Sequence, residues 1–277
     1  MLQLWWRPFD EESELPKTQQ PLPLDQRLKC WMQHRERHSK ESLDGIKMAA
    51  PPTSNGSARR RRVIVDVDVG TDDAWALLLL LKCERKYNFS VEAITCTHGN
   101  TDVHNATRNV DLYIMGGNRN GVGNVTKSAE FNFWADPEAA HVVLNTVQCP
   151  ITVLPWETCI TQHQSLPMSW RMDVVGNSKN RAVQMLNQVE TKCYSHWDKW
   201  MPCDAFLAAV FICPEIIQHS EVFHVDIELT GRLTRGQMVL DHLKKAKDTT
   251  RIVDRIDCEK FKLLMLYSAD HDVEAKL

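Results

Sequence analysis

Four aspartates fall within eight positions at the end of an apolar stretch, "VIVDVDVGTDDAWALLLLL", which occupies positions 63–81. They are Asp66, Asp68, Asp72 and Asp73. Ionised carboxylates this close together repel one another and are costly to bury unless a cation or hydrogen-bond donors compensate them. A group of carboxylates offers the oxygen ligands that Ca²⁺ and Mg²⁺ prefer. The spacing therefore predicts a divalent-metal site, because helix capping explains only one or two of the four acids.

The elements around these aspartates indicate how the four side chains would meet. The β-branched run at 63–69 predicts a buried strand of the parallel type, and the first two aspartates share one of its faces. Gly70 then turns the chain into a helix predicted over 72–82, whose first turn carries the other two aspartates. Parallel α/β sheets bind their ligands beyond the carboxyl ends of the strands, which is where this turn lies.

Strands and helices alternate along the rest of the chain. The predicted strands are 91–97, 111–115 ("DLYIM"), 151–156, 222–229 and 251–256. The predicted helices are 104–111, 136–145, 180–194, 204–212 and 259–267. This alternation predicts an α/β fold with a mostly parallel sheet and flanking helices. Residues 1–61 lack any sustained periodicity and are predicted to be a disordered N-terminal extension, with residues 62–277 as the folded domain.

The bulk composition argues against several classes of partner. The formal net charge of −3 argues against nucleic acid, and no apolar stretch has the length of a membrane span. The nine cysteines are scattered without a Cys-x-x-Cys pair, and the first residues turn acidic instead of forming an apolar secretory segment. These features predict reduced thiols and a cytoplasmic location. Four consecutive arginines at 59–62 leave a nuclear location open.

The segment "DVDVGTDDAWAL" resembles the N-terminal signature Asp-x-Asp-x-Gly-x-Asp-Asp of the inosine/uridine-preferring nucleoside hydrolase family. Later segments resemble further blocks of that family in the same order: "THGNTDVHNATRNV", "MGGNRNGVGNVTKSAEFNFWADPEAAHVVL", "PITVLPWETC", "CDAFLAAVFICPE" and "VDIELTGRLTRGQMVLD". The resemblance covers about 62–266. It implies a glycosidase of purine and pyrimidine nucleoside catabolism, which hydrolyses the N-glycosidic bond of a small-molecule ribonucleoside to ribose and free base. Assembly of identical subunits is a further expectation from the resemblance.

The same resemblance assigns roles to individual residues. It implies Ca²⁺ as the cofactor, with Asp68, Asp73 and Asp204 as carboxylate ligands. Asp68 would also act as general base on a water that the cation makes more acidic. Asp66 is expected to orient the loop amides or Asp73 from behind the ligands. The positions that match residues around the ribose are Asp72, Asn100, Met115, Asn124, Glu130 and Asn132.

Cys203 is a first departure from the family pattern. Many members have a histidine at this position, directly before the metal-ligating aspartate, and that histidine can protonate the leaving base. A thiol, with an ordinary pKa of about 8.5, is a poorer acid near neutral pH. The base preference therefore does not carry over. Stacking of the base on an aromatic side chain is an alternative, for which Trp156, Trp197 and Trp200 are the candidates.

The second departure is a missing block near 110–114. Here "ATRNVDLYIMGG" joins two segments that the family separates by several strands and helices, roughly a hundred residues or one small domain. The lost block should include central strands and a backbone carbonyl that ligates Ca²⁺. Its loss predicts weak Ca²⁺ binding and low or absent hydrolysis, which makes a shortened isoform that only binds a nucleoside or a partner chain the alternative function. A more remote alternative is a haloacid-dehalogenase-type phosphatase with Asp66 as nucleophile, although Val69 interrupts that motif.

Overall fold

The computed structural model describes residues 60–67, 70–96, 111–147, 149–163, 165–273 and 276. Positions 1–59 of the predicted extension and 104–110 of the predicted short helix lie outside the described residues. Two predicted site residues, Asp68 and Asn100, lie outside them as well.

The strands of the described residues are β1 (Arg61–Val67), β2 (Phe89–Cys96), β3 (Leu112–Met115), β4 (Ile151–Leu154), β5 (Ile217–Phe223), β6 (Val225–Ile227), β7 (Met238–Leu240) and β8 (Thr250–Ile256). They form three sheets. β1 and β2 are a parallel pair. The largest sheet has the order β3-β4-β8-β5, in which β3, β4 and β8 run parallel and β5 is antiparallel to β8. β6 and β7 form an antiparallel pair.

The α-helices of the described residues are α1 (Thr71–Cys83), α2 (Phe131–Ala135), α3 (Pro137–Thr146), α4 (Trp156–His163), α5 (Arg181–Cys193), α6 (Cys203–Ile212) and α7 (Cys258–Ser268). A π-helical turn spans Trp170–Val175, and a 3₁₀ turn spans Pro214–Ile216. Within the part of the chain that is described, no helix combines the length and apolarity needed to cross a bilayer. The α/β class is as predicted, and three of the five strand pairings in the described residues are parallel.

Among the differences between predicted and observed strands, two have a clear physical reason. The strand predicted over 222–229 is in fact the end of β5 and the whole of β6, with His224 between them. The chain changes partner there, from β8 to β7, and a continuous apolar pattern cannot reveal such a change. The strand predicted over 151–156 stops at Leu154, because Pro155 has no amide hydrogen for the sheet and Trp156 begins α4.

The main hydrophobic core lies where α1, α6 and α7 pack together. Its largest side chains include Trp75, Phe206 and Phe261, all fully buried. α6 is buried over almost its whole length, so its first turn is held deep in the molecule. A second apolar cluster joins the four-stranded sheet to the β6–β7 pair. The β1–β2 pair forms no described hydrogen-bonded ladder with the four-stranded sheet, and Ile64 on β1 is 67% exposed.

Candidate metal and ribose site

Three carboxylates converge where the first turns of α1 and α6 meet. Asp72 and Asp73 lie in the first turn of α1, and Asp204 lies in the first turn of α6. One oxygen from each lies within 4.8 Å of the others. Asp73 and Asp204 are fully buried. Two helix N-termini therefore point their positive dipole ends at the same group of negative side chains. We call Asp72, Asp73 and Asp204 the helix-end cluster.

The donor set of the helix-end cluster fits a hard divalent cation. All three residues offer carboxylate oxygens, which Ca²⁺ and Mg²⁺ prefer, and like charges at this spacing favour a bound positive ion. Asp73 also has the capping role considered from the sequence, because its Oδ2 accepts the Gly70 amide at 2.9 Å. That bond uses one oxygen of one aspartate. Asp66 lies on β1, half-buried, and is not among the clustered carboxylates.

Two buried thiols lie beside the helix-end cluster. Cys203 begins α6 and Cys159 lies in α4, and both side chains are buried. The neighbouring Cys159 thiol, followed by burial, raises the pKa of Cys203 well above its ordinary value. The charges of Asp72 and Glu130 add to the increase, so both residues lie near this thiol. The thiol stays protonated near neutral pH.

Met115, Glu130 and Asn132 form a second group of predicted site residues that the fold brings together. Met115 ends β3, and the Asn132 side-chain amide donates to its carbonyl at 3.3 Å. The Asn132 Oδ1 is buried and has no hydrogen-bond partner among the described residues. Glu130 accepts from the amides of Asn132 at 2.8 Å, Gly117 at 2.8 Å and Phe133 at 3.3 Å. Burial raises the pKa of Glu130 to about 7 in spite of these bonds.

Asn124, by contrast, is exposed and serves its own loop. Its Oδ1 accepts the Phe131 amide at 2.7 Å, which ties the loop to the start of α2. Asn124 therefore has a structural role in this loop, whether or not it binds ribose. The loop places Asn124 next to the group formed by Glu130 and Asn132.

Sequence reasoning missed a residue that shapes this loop. The Glu157 carboxylate, in the first turn of α4, accepts the backbone amides of Arg119 at 2.7 Å, Asn120 at 2.8 Å and Val122 at 3.2 Å. Glu157 follows the carboxyl end of β4. The rule that placed the aspartates beyond a strand end therefore also pointed to this position. Cys159 was missed too, and a scattered cysteine gives no local signal.

The three tryptophans proposed for stacking have different environments. Trp200 is 2% exposed and packs edge-on against Trp75, with ring centroids 5.5 Å apart, so it belongs to the core. Trp197 is half-buried and lies 5.8 Å from the Tyr194 ring. Trp156 is half-buried at the start of α4. The two half-buried side chains remain candidates for stacking on a base.

A family model described as inosine-uridine preferring nucleoside hydrolase matches this chain in two segments, 63–111 and 110–263. Together they cover well over half of the 277 residues. The chain belongs to this nucleoside hydrolase family. The two segments meet at 110–111, within the region where the sequence predicts the missing block.

Curated members of the nucleoside hydrolase family align over part of their length. The inosine-uridine preferring nucleoside hydrolase of Crithidia fasciculata is 32% identical over 164 residues, which are 56% of this chain and 50% of that protein. The enzyme of the same name from Leishmania major is 28% identical over 162 residues, again 56% and 50%. The chain thus spans about half the length of the curated relatives it matches.

A solved structure titled inosine-guanosine nucleoside hydrolase superimposes with a TM-score of 0.65 at 18% identity. The superposition covers 76% of this chain and 99% of that one. At this identity the likeness establishes the nucleoside hydrolase fold alone. It confirms the α/β class that the alternation of strands and helices predicts.

Proposed function

We propose that this chain is a Ca²⁺-dependent nucleoside hydrolase, which cleaves the N-glycosidic bond of ribonucleosides to ribose and free base. The observation that carries the proposal is the convergence of Asp72, Asp73 and Asp204 at two helix N-termini. The family match supports N-glycosidic chemistry over the phosphatase alternative.

Each residue then has a defined task. Asp73 and Asp204 would hold the cation, and Asp72 lies close enough to share in this or to pair a ribose hydroxyl. Ca²⁺ in such a site supplies a positive charge that makes a nearby water more acidic. By the family resemblance, Asp68 would take the proton of such a water. Attack at the anomeric carbon would then pass through an oxocarbenium-like transition state, and the base would leave with the electron pair of the broken N-glycosidic bond.

The ribose side is formed by Glu130, Asn132 and Met115. The buried Asn132 Oδ1 is an acceptor, and carboxyl and amide groups are the side chains that pair with a diol in a dry pocket. Glu130 already accepts hydrogen bonds from three backbone amides, so only its remaining lone pairs would accept a hydrogen bond from a ribose hydroxyl. Met115 would contact the sugar from the end of β3.

A ribose-release assay with inosine and uridine tests the proposal. We expect release that requires Ca²⁺, stops with EDTA and falls sharply in Asp204→Asn. Cys203→Ala should cost much less than the 10²-fold or more that loss of a general acid causes, because the raised pKa of this thiol makes it a poor acid. Release that is independent of Ca²⁺ and of Asp204 would contradict the proposal.

A second candidate function is a shortened isoform that binds a nucleoside without hydrolysing it. It is supported by the family match that breaks at 110–111 and by curated relatives of about twice the matched length. Among the described residues, the β1–β2 pair also shares no ladder with the larger sheet. Inosine binding in a titration calorimeter, without ribose release at any Ca²⁺ concentration, would favour this candidate.

The cellular context is also a proposal. The described cysteines are free thiols, which supports a reducing compartment such as the cytoplasm, with the nucleus as the alternative. Self-association of the chain, expected from the resemblance, is tested by light scattering of the purified protein.

A further inference from the structure

Helix α5 and the residue after it contact the first turn of α1 at two points. The Tyr194 hydroxyl, just beyond the end of α5, is 2.9 Å from the Thr71 Oγ1. One turn earlier, Glu190 accepts the indole N–H of Trp75 at 3.0 Å. Thr71 and Trp75 lie on either side of Asp72 and Asp73 in the chain. The two contacts therefore bracket the part of α1 that carries two of the clustered carboxylates.

The deeper of the two contacts is firmly anchored. Arg171 forms an ion pair with Glu190 at 2.7 Å and donates to the Asn187 side chain at 2.7 Å. Its guanidinium also lies 4.5 Å from the Trp75 ring centroid. Arg171 and Glu190 are 0% and 1% exposed. If the Arg171–Glu190 ion pair separated, it would leave an uncompensated charge in the core. The pair therefore fixes the position of α5 against α1.

The same segment of chain leads to the third carboxylate. From Tyr194 the backbone runs through Trp200, which packs against Trp75, and enters α6 at Cys203. The Trp200 amide donates to the Leu166 carbonyl at 2.8 Å, which holds this connection in place. The start of α6, with Asp204, is thus tied to the same region of α1.

We infer that Tyr194 is a positioning residue for the helix-end cluster. Its hydrogen bond to Thr71 holds the first turn of α1 near α6. This bond opposes the mutual repulsion of the three carboxylates, whose oxygens lie within 4.8 Å of one another. It thereby sets how tightly the cluster binds Ca²⁺. The inference deepens the proposed function and rests on its metal site. The bond joins residues 123 positions apart in the chain, so no local pattern reveals it.

The test uses Tyr194→Phe and Thr71→Val, each of which removes one side of the bond while keeping the shape of the side chain. Tyr113→Phe is the matched control, since its ring packs edge-on against Phe211 away from the cluster. Three quantities are measured on the full chain: the Ca²⁺ dissociation constant by calorimetry, terbium luminescence as a second cation probe, and hydrogen exchange of residues 71–75 in EDTA.

We expect both variants to weaken Ca²⁺ and terbium binding by about tenfold, the effect of one lost hydrogen bond. Exchange should accelerate at residues 71–75 and stay unchanged in α7, and the double variant should lose no more than either single one. Unchanged exchange and affinity would overturn the inference. So would an equal acceleration throughout the core, since that outcome indicates a general structural role.

Failure of the proposed function gives a different result. If the wild-type chain binds neither Ca²⁺ nor terbium, the metal site itself is refuted. The exchange measurement in EDTA does not depend on metal, and it alone then decides whether Tyr194 holds the first turn of α1.

Discussion

Two groups of three potential metal ligands lie in the described residues, and they differ in what balances their charge. The first is the helix-end cluster. The second, which we call the sheet-edge cluster, comprises His219 and Glu221 on β5 and Asp254 on β8. Ligand atoms lie within 4.8 Å of one another in both. By that criterion alone the two groups are equivalent.

The sheet-edge cluster already has a cation from its own chain. Arg119 pairs with Glu221 at 2.9 Å and also with Asp254. His219 Nδ1 lies 2.7 Å from the other Asp254 oxygen. The His219 and Glu221 side chains are 49% and 45% exposed, so water screens the charge on these two residues that Arg119 does not balance. Ligand spacing therefore does not by itself predict a metal site. What distinguishes the two clusters is the source of the positive charge that faces the carboxylates. At the helix-end cluster this charge comes from the positive ends of two helices.

The largest effect that separates the two clusters is on Ca²⁺ binding. Asp204→Asn should weaken Ca²⁺ binding by a factor on the order of 100, because affinity in such sites follows the number of charged ligands. Asp254→Asn is the matched control and should leave the affinity unchanged. Calorimetric titration measures both. Equal losses in the two variants would mean that the sheet-edge cluster binds the ion as well.

Without metal, the same pair of variants should change stability in opposite directions. In EDTA, Asp204→Asn removes one of three mutually repelling carboxylates and should raise the melting temperature. Asp254→Asn loses its bonds to Arg119 and His219 and should lower it slightly. Calorimetric melting of both proteins in EDTA measures the shifts. A lower melting temperature for Asp204→Asn would show that hydrogen bonds, not a cation, compensate this aspartate.

The pH dependence of the free energy of unfolding should come in large part from Glu130, the buried carboxyl of the predicted ribose group. Burial raises the pKa of Glu130 from 4.5 to about 7. An acid whose pKa is higher in the folded state stabilises that state fully below pH 4.5 and loses this contribution as the pH rises through about 7. Glu130→Gln, which resembles the neutral form, should flatten the stability profile across this range. Urea unfolding in EDTA from pH 4.5 to 8 measures it, and parallel profiles would refute the assignment.

The helix-end cluster illustrates what the sequence can predict. Asp72 and Asp73 were predicted from local spacing, because strand, turn and helix start are all encoded within a dozen residues. Asp204 lies about 130 positions later, and only the family resemblance connected it to them. The Tyr194–Thr71 bond and the Cys159–Cys203 contact were not predicted at all. They arise from the packing of helices that are distant in sequence, and neither residue type has a spacing that signals such a contact.

Strand pairing shows the same limit. β3 and β4 were predicted from short apolar runs, and Pro155 explains why β4 ends at Leu154 and not at the predicted residue 156. The passage from β5 to β6 was missed, because alternation along the chain records which side chains face the core and not which strand lies alongside. The sheet-edge cluster depends on this pairing, so no sequence pattern indicated that His219 lies beside Asp254.

The smallest expected effect belongs to the sheet-edge cluster. Arg119→Met should lower the melting temperature by only a few degrees, because Glu221 is 45% exposed and Asp254, which is 17% exposed, keeps His219 as a partner. The difference from wild type should shrink at about 1 M NaCl, where exposed ion pairs are screened. The bond to Arg119 lowers the pKa of Glu221, so this stabilisation is present at neutral pH and is lost as the pH falls below the usual range of a glutamate. A large loss of melting temperature that is independent of salt would mean that Arg119 forms a structural ion pair comparable to Arg171–Glu190. The contrast between the screened sheet-edge cluster and the buried helix-end cluster would then fail.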